Sequence, residues 1–164
     1  MVNQAFCPAQ TSVYFDRKVT RNPLLLLHST VSLDCKTVEQ IEQAHEKVKS
    51  GADFPKYIQE IKKLGVIGFE TWVKDSHTVY FGENNFKTSS KPKYDGLTIS
   101  EKSDNENFKT QLKEHQQGKT DYFTFCKSCA ETGIEKWVVS LIDMTCIYYD
   151  KIGNKILVEQ IPQP

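Results

Sequence analysis

The residue pattern predicts an α+β fold: a mainly antiparallel sheet packed by helices and built from two pseudo-repeated ααβββ halves. Three observations carry that expectation. Segments of helical and strand period follow one another as helix, helix, hairpin, third strand, and the same order occurs twice. Sliding the chain on itself by 68 residues aligns residues 53–82 with residues 121–150 without a gap, so that aromatic, helix-stop and turn residues fall together. Hydrophobic residues make up 38% of the chain and charged residues 26%, enough apolar material for a packed core.

Residues 1–36 show no sustained period beyond a short strand expected around Val13, Tyr14 and Phe15, and are expected to form a poorly ordered extension. A single α+β domain is expected over residues 37–162. Thr37 with Gln40 makes a capping box, and Val38, Ile41, Ala44, His45 and Val48 share one helical face until Gly51. The second helix starts near Asp53 and tolerates Pro55 in its first turn. Its stripe is Phe54, Tyr57, Ile58, Ile61 and Leu64, and Gly65 ends it. Residues 66–74 are rich in β-branched and aromatic side chains, Asp75-Ser76 supplies a turn, and residues 77–81 return as a hairpin. Pro92 and its polar neighbours make residues 89–96 a loop, and Leu97, Thr98 and Ile99 read as the third strand, closing a first half of about 37–100.

Ser103 and Glu106 form a second capping box, launching a polar helix with Phe108, Leu112 and His115 on one side that ends near Gly118. The next helix begins at Thr120 or Asp121, carries Tyr122, Phe125, Cys126 and Cys129, and stops at Gly133. Strands over residues 135–142, 144–149 and, after a Gly153-Asn154 turn, 156–161 complete a second half of about 103–161. Between the halves Phe54 meets Tyr122, Tyr57 meets Phe125, Phe69 meets Trp137, and Val79-Tyr80-Phe81 meets Ile147-Tyr148-Tyr149. Four of the thirty paired positions are identical, so the weight rests on the matched aromatics, helix stops and turns.

Composition narrows the function classes. Lys plus Arg (21) cancels Asp plus Glu (21), so no global positive field favours nucleic acid. The longest apolar run is Leu24-Leu25-Leu26-Leu27, far short of the roughly 20 residues that span a bilayer and too short for a secretory leader. Five cysteines, an odd number in a chain able to build a core without staples, read as reduced thiols of a cytoplasmic protein.

Cys126-Lys127-Ser128-Cys129 has the spacing of a redox or half-zinc motif, but the alignment sets Cys126 against Ile58 and Cys129 against Ile61, and the pair reads as core. No metal and no cofactor are expected. Asp75 and Asp143 read as turn residues. Trp137 and Tyr148 are candidate binding residues, since aromatics on one sheet face line either a core or a ligand pocket. His115 and Asp121 end one helix and start the next, an arrangement that serves either as an oriented acid/base pair or as a dipole partner and a cap. The first half lacks a counterpart, with Lys47 or Val48 in the place of that histidine. No phosphate-binding, dinucleotide, serine-hydrolase or metalloprotease signature is present, and the catalytic residues stay unassigned.

Residues 39–82, with the run Ala44-His45-Glu46-Lys47-Val48-Lys49-Ser50-Gly51-Ala52-Asp53-Phe54-Pro55, resemble an uncharacterised bacterial family of small soluble proteins that often carry the label "phage envelope protein". The likeness extends through Gly118-Lys119-Thr120-Asp121-Tyr122, Gly133-Ile134-Glu135-Lys136-Trp137 and Thr145-Cys146-Ile147-Tyr148-Tyr149-Asp150, so it covers residues 37–162. It implies no mechanism and transfers no site residues. Family members begin close to the first helix, which leaves residues 1–36 as an extension or a misplaced start. Two functional readings follow. The first is a binding or interaction module for an unknown small molecule or protein partner, with a prophage-associated role as a variant. The alternative is a small enzyme using His115 and Asp121 in a groove between the halves.

Overall fold

Four helices and a six-stranded antiparallel sheet make up the chain described by the computed structural model, an α+β architecture. Residues 35–49 and 51–162 are described; expectations for residues 1–34, the strand at Val13–Phe15 and Cys7 among them, lie outside this range, as do the side chains of Cys35 and Thr37. In order, α1 is Cys35–Glu46, a 3-10 turn is Gly51–Asp53, α2 is Phe54–Lys63, β1 is Val66–Trp72, β2 is Thr78–Gly82 and β3 is Lys87–Ser89. Then α3 is Asn105–Gln116, α4 is Tyr122–Glu131, β4 is Ile134–Ser140, β5 is Thr145–Asp150 and β6 is Lys155–Gln160.

The sheet order is β3-β2-β1-β4-β5-β6, so the strands run outward in both directions from a central β1–β4 pair. Thr71 faces Trp137 and Glu70 faces Val138 across that seam. Because side chains alternate between faces, the registers build two rows on one face: Tyr80, Phe69, Val139 and Cys146, then Thr78, Thr71, Trp137 and Tyr148. Every one of these side chains is buried. Helical stripes cover them, with Tyr57, Ile58 and Ile61 from α2, Phe108 and Leu112 from α3, and Phe125, Cys126 and Cys129 from α4. The opposite face carries Glu70, Val138, Ile147 and Val158 in one row, all half-buried or exposed.

Three expectations are corrected. The third strand of the first half is not residues 97–99 but β3, which pairs Ser89 with Val79. Leu97–Ile99 is irregular: the Leu97 amide bonds the Lys74 carbonyl at 2.6 Å while Ile99 is buried in the core. Its apolar character serves packing, whereas β3 is an exposed polar edge without the alternation that marks a half-buried strand. The cap of α3 is Asp104, whose carboxylate accepts the Asn107 amide, rather than Ser103. Finally, α1 stops at Glu46, because the Lys47 and Val48 amides bond three residues back and tighten the last turn. Val48 therefore lies beyond the helix.

Candidate ligand cavity

Beneath the helices, a cavity of about 500 Å³ opens over the two buried rows of the sheet, a volume in the range of small-molecule sites. Trp137 from β4, Tyr148 from β5 and His115 from the last turn of α3 line it; Asp121 is not among its lining residues. Five more aromatic side chains join them, Phe54 and Tyr57 from α2, Phe69 from β1, and Tyr122 and Phe125 from α4, among aliphatic and small residues such as Val48, Leu112 and Ile161. The rings touch in series, with Phe125 to Trp137 at 5.9 Å, Trp137 to Tyr148 at 6.3 Å and Tyr57 to Phe69 at 6.0 Å between centroids. Such spacings sit within the range where tilted and edge-on aromatic pairs attract.

His115 and Asp121 do not form a pair. The His115 Nδ1 lies 3.1 Å from the Thr120 carbonyl and 3.2 Å from its hydroxyl. Extended backbone at Asp121 turns its carboxylate onto the Thr124 amide at 2.7 Å, capping α4. Burial is the largest influence on His115 and lowers its pKa, outweighing the Thr120 bond and the Asp121 charge, which raise it. An imidazole paired with a carboxylate would shift the other way. The ring instead stacks on Phe125 at 4.3 Å and 6°.

Sequence reasoning missed His45. It occupies the last turn of α1, as His115 occupies the last turn of α3, is buried, and lines the same cavity. The ungapped 68-residue offset hid it: nine positions separate His45 from Phe54, but seven separate His115 from Tyr122. Allowing that two-residue difference in the connection is the signal that would have found it. His45 Nδ1 meets the Tyr80 hydroxyl at 3.1 Å, and Tyr80 meets the Tyr57 hydroxyl at 3.0 Å, a chain of three polar groups inside the core. Burial pushes the His45 pKa down to about 3, with a smaller contribution from the Lys93 charge.

Among the described residues the wall has no Lys or Arg and one carboxylate, Glu159, which accepts two hydrogen bonds from the Gln116 amide. Cys126 and Cys129 are buried free thiols of α4, and burial raises both pKa values, that of Cys126 to about 11, the opposite of a reactive thiolate. Among the described residues no cluster of three or more His, Cys, Asp or Glu is placed to hold a metal ion. None of the described helices is long and apolar enough to cross a membrane.

Comparison with curated proteins yields no match. Residues 42–160 match the family described as protein of unknown function (DUF1398), and the chain belongs to that family.

Proposed function

We propose that this chain is a small-molecule binding module whose ligand occupies the aromatic cavity between two repeated halves. The observation that supports it is the composition of the wall: rings from both halves, two imidazoles and, among the described residues, no cation surround about 500 Å³. Concave, mostly apolar sites with a few convergent polar groups are the usual form of a ligand pocket. The three described cysteines are free, which fits a reducing cytoplasmic setting as part of the same proposal. An association with phage forms no part of this reading. The acid/base alternative is not carried forward, because His115 and Asp121 each bond other groups.

The chain has two tryptophans, and they report different places. Trp137 lines the cavity, whereas Trp72 stacks on His77 at 6.0 Å outside it. In a Trp72→Phe protein, a compound that raises the melting temperature is expected to change Trp137 emission with the same midpoint. At a hundredfold excess over Kd the stabilisation amounts to about 2.7 kcal/mol. A stabilising compound that leaves Trp137 emission unchanged would place the site elsewhere and remove the proposal.

A further inference from the structure

The two histidines of the cavity carry information about what enters it. We propose, resting on the binding reading above, that the ligand is a neutral planar aromatic molecule bearing an O–H or N–H group, and that His115 Nε2 accepts this hydrogen.

The argument begins with the Thr120 carbonyl. His115 Nδ1 has two partners in Thr120: the carbonyl at 3.1 Å, which only accepts, and the hydroxyl at 3.2 Å, which does either. A proton on Nδ1 suits both, whereas a bare Nδ1 would face the carbonyl lone pairs, so the geometry favours Nδ1–H. In a neutral imidazole the proton on Nδ1 leaves Nε2 with a bare lone pair, an acceptor. Burial of the ring against Phe125 favours that neutral form. No described group donates to Nε2. Yet no buried side-chain nitrogen or oxygen among the described residues is left unsatisfied, so Nε2 keeps contact with open space. His115 lines the cavity, and its Cδ2, the atom bonded to Nε2, lies against Gly51 of the same wall, which points this ring edge toward the cavity. A ligand that fills the cavity must therefore present a donor there, or leave a buried lone pair unpaired.

The second polar element is adaptable. When His45 donates to Tyr80 and Tyr80 to Tyr57, the Tyr57 hydroxyl is free to donate into the cavity. When the chain runs the other way, Tyr57 donates to Tyr80 and Tyr80 to His45 Nδ1, so Tyr57 offers the cavity only a lone pair and His45 carries its proton on Nε2. Both orientations use the same heavy-atom positions, so this end takes either a donor or an acceptor. His115 alone makes a fixed demand. The remaining wall sets shape and charge. Rings of Tyr57, Phe69, Tyr122, Phe125 and Trp137 favour a flat π-surface. Among the described residues no Lys or Arg lines the wall, Lys93 standing 5.4 Å from the Tyr122 ring centroid without being part of it. An anionic ligand therefore finds no cation in direct contact and meets both a lone pair and the Glu159 carboxylate.

Three naphthalenes substituted at the same position separate the possibilities: 2-naphthol, 2-methoxynaphthalene and 2-naphthoate, titrated calorimetrically into the full chain at pH 7.5. Tighter binding of 2-naphthol, by tenfold or more over both others, is expected. His115→Phe keeps a ring on Phe125 but removes the acceptor, and should bring 2-naphthol and its methyl ether to within about twofold of each other. Nitrogen-15 spectra of the histidine rings supply a readout that needs no variant: His115 should show the Nδ1–H tautomer in the free protein, with Nε2 shifting on addition of 2-naphthol. If the ether or the naphthoate binds as tightly as the naphthol, the ligand class assigned here is wrong while the cavity still binds. If none of the three binds, the binding-module reading itself falls.

Discussion

His45 shows how one residue sets the electrostatics of the whole site. A histidine in the last turn of a helix gains up to about 2 kcal/mol as a cation from the helix dipole, which would raise its pKa. Full burial lowers it by as much as 3 to 5 pH units, and burial wins here, pushing the value to about 3. The groups that face this ring are uncharged or cationic: Tyr57 at 5.1 Å, Tyr80 at 3.1 Å, Tyr122 at 5.9 Å, and the Lys93 charge. None brings a negative charge to offset the desolvation of an imidazolium. In the unfolded chain His45 titrates near its ordinary 6.5, so between that pH and about 3 the unfolded state binds a proton that the folded state refuses. Stability is therefore full above 6.5 and is lost as pH falls through that window, by up to about 1.4 kcal/mol per unit. Denaturant midpoints measured from pH 7.5 to pH 4.5 should fall, and His45→Gln, which cannot titrate, should reduce the slope to the share that His115 contributes. A slope identical in wild type and variant would show that His45 protonates freely. Asp75 and Asp121, whose pKa values are lowered by hydrogen bonds, act only below the ordinary carboxylate range. His115, also lowered by burial, adds a slope of the same sign, so the His45 share is the difference between wild type and variant.

At the scale of elements, the helices and both hairpins were legible because each carries its own punctuation. The stop of α4 is an example. Gly133 follows it with φ +81°, and a Cβ there would meet the Lys102 carbonyl oxygen at 2.6 Å and Ser103 Cα at 2.9 Å. Gly153, in the β5–β6 turn, has nearly the same φ, +83°, with nothing within 4 Å of a Cβ. Gly153→Ala should thus cost only the left-handed backbone term, about 1 to 2 kcal/mol. Gly133→Ala should cost at least about 1 kcal/mol more, because backbone atoms of the segment before α3 must move. Equal losses in chemical denaturation would mean that this segment yields freely. β3 escaped sequence reading because an exposed edge needs no apolar alternation, and Leu97–Ile99 drew the strand assignment because burial in irregular backbone leaves the same apolar trace. In the site, Trp137, Tyr148 and His115 were visible as an aromatic row and a helix end. His45 and Tyr57 were read only as core stripe, since periodicity reports that a side chain is inward without saying whether it meets protein or a cavity.

The whole molecule turns on the β1–β4 seam, because the cavity wall draws on β1 and α2 from one side and on β4, β5 and α4 from the other. On the face away from the cavity, Lys136 bridges this seam: its ammonium lies 3.1 Å from the Glu70 carboxylate and 4.4 Å from the Trp72 ring. Both charged side chains are about three-quarters shielded from solvent, which places the pair between the weak surface bridges and the costly buried ones. Glu70→Gln keeps the shape and removes the charge, and should lower stability by about 1 kcal/mol. Glu70 alternates with Phe69 and Thr71, which face the cavity, so the substitution reaches the site only through the backbone. The binding constant for 2-naphthol should then stay within about twofold of wild type at temperatures well below melting. The form of the unfolding curve is the sharper outcome. If the halves depend on each other through a shared core, the midpoint shifts while the transition stays single and its slope with denaturant is unchanged, since the same surface is exposed. A curve that splits in two, or a slope that falls, would mean that weakening the seam releases one half before the other, and that each carries a core of its own.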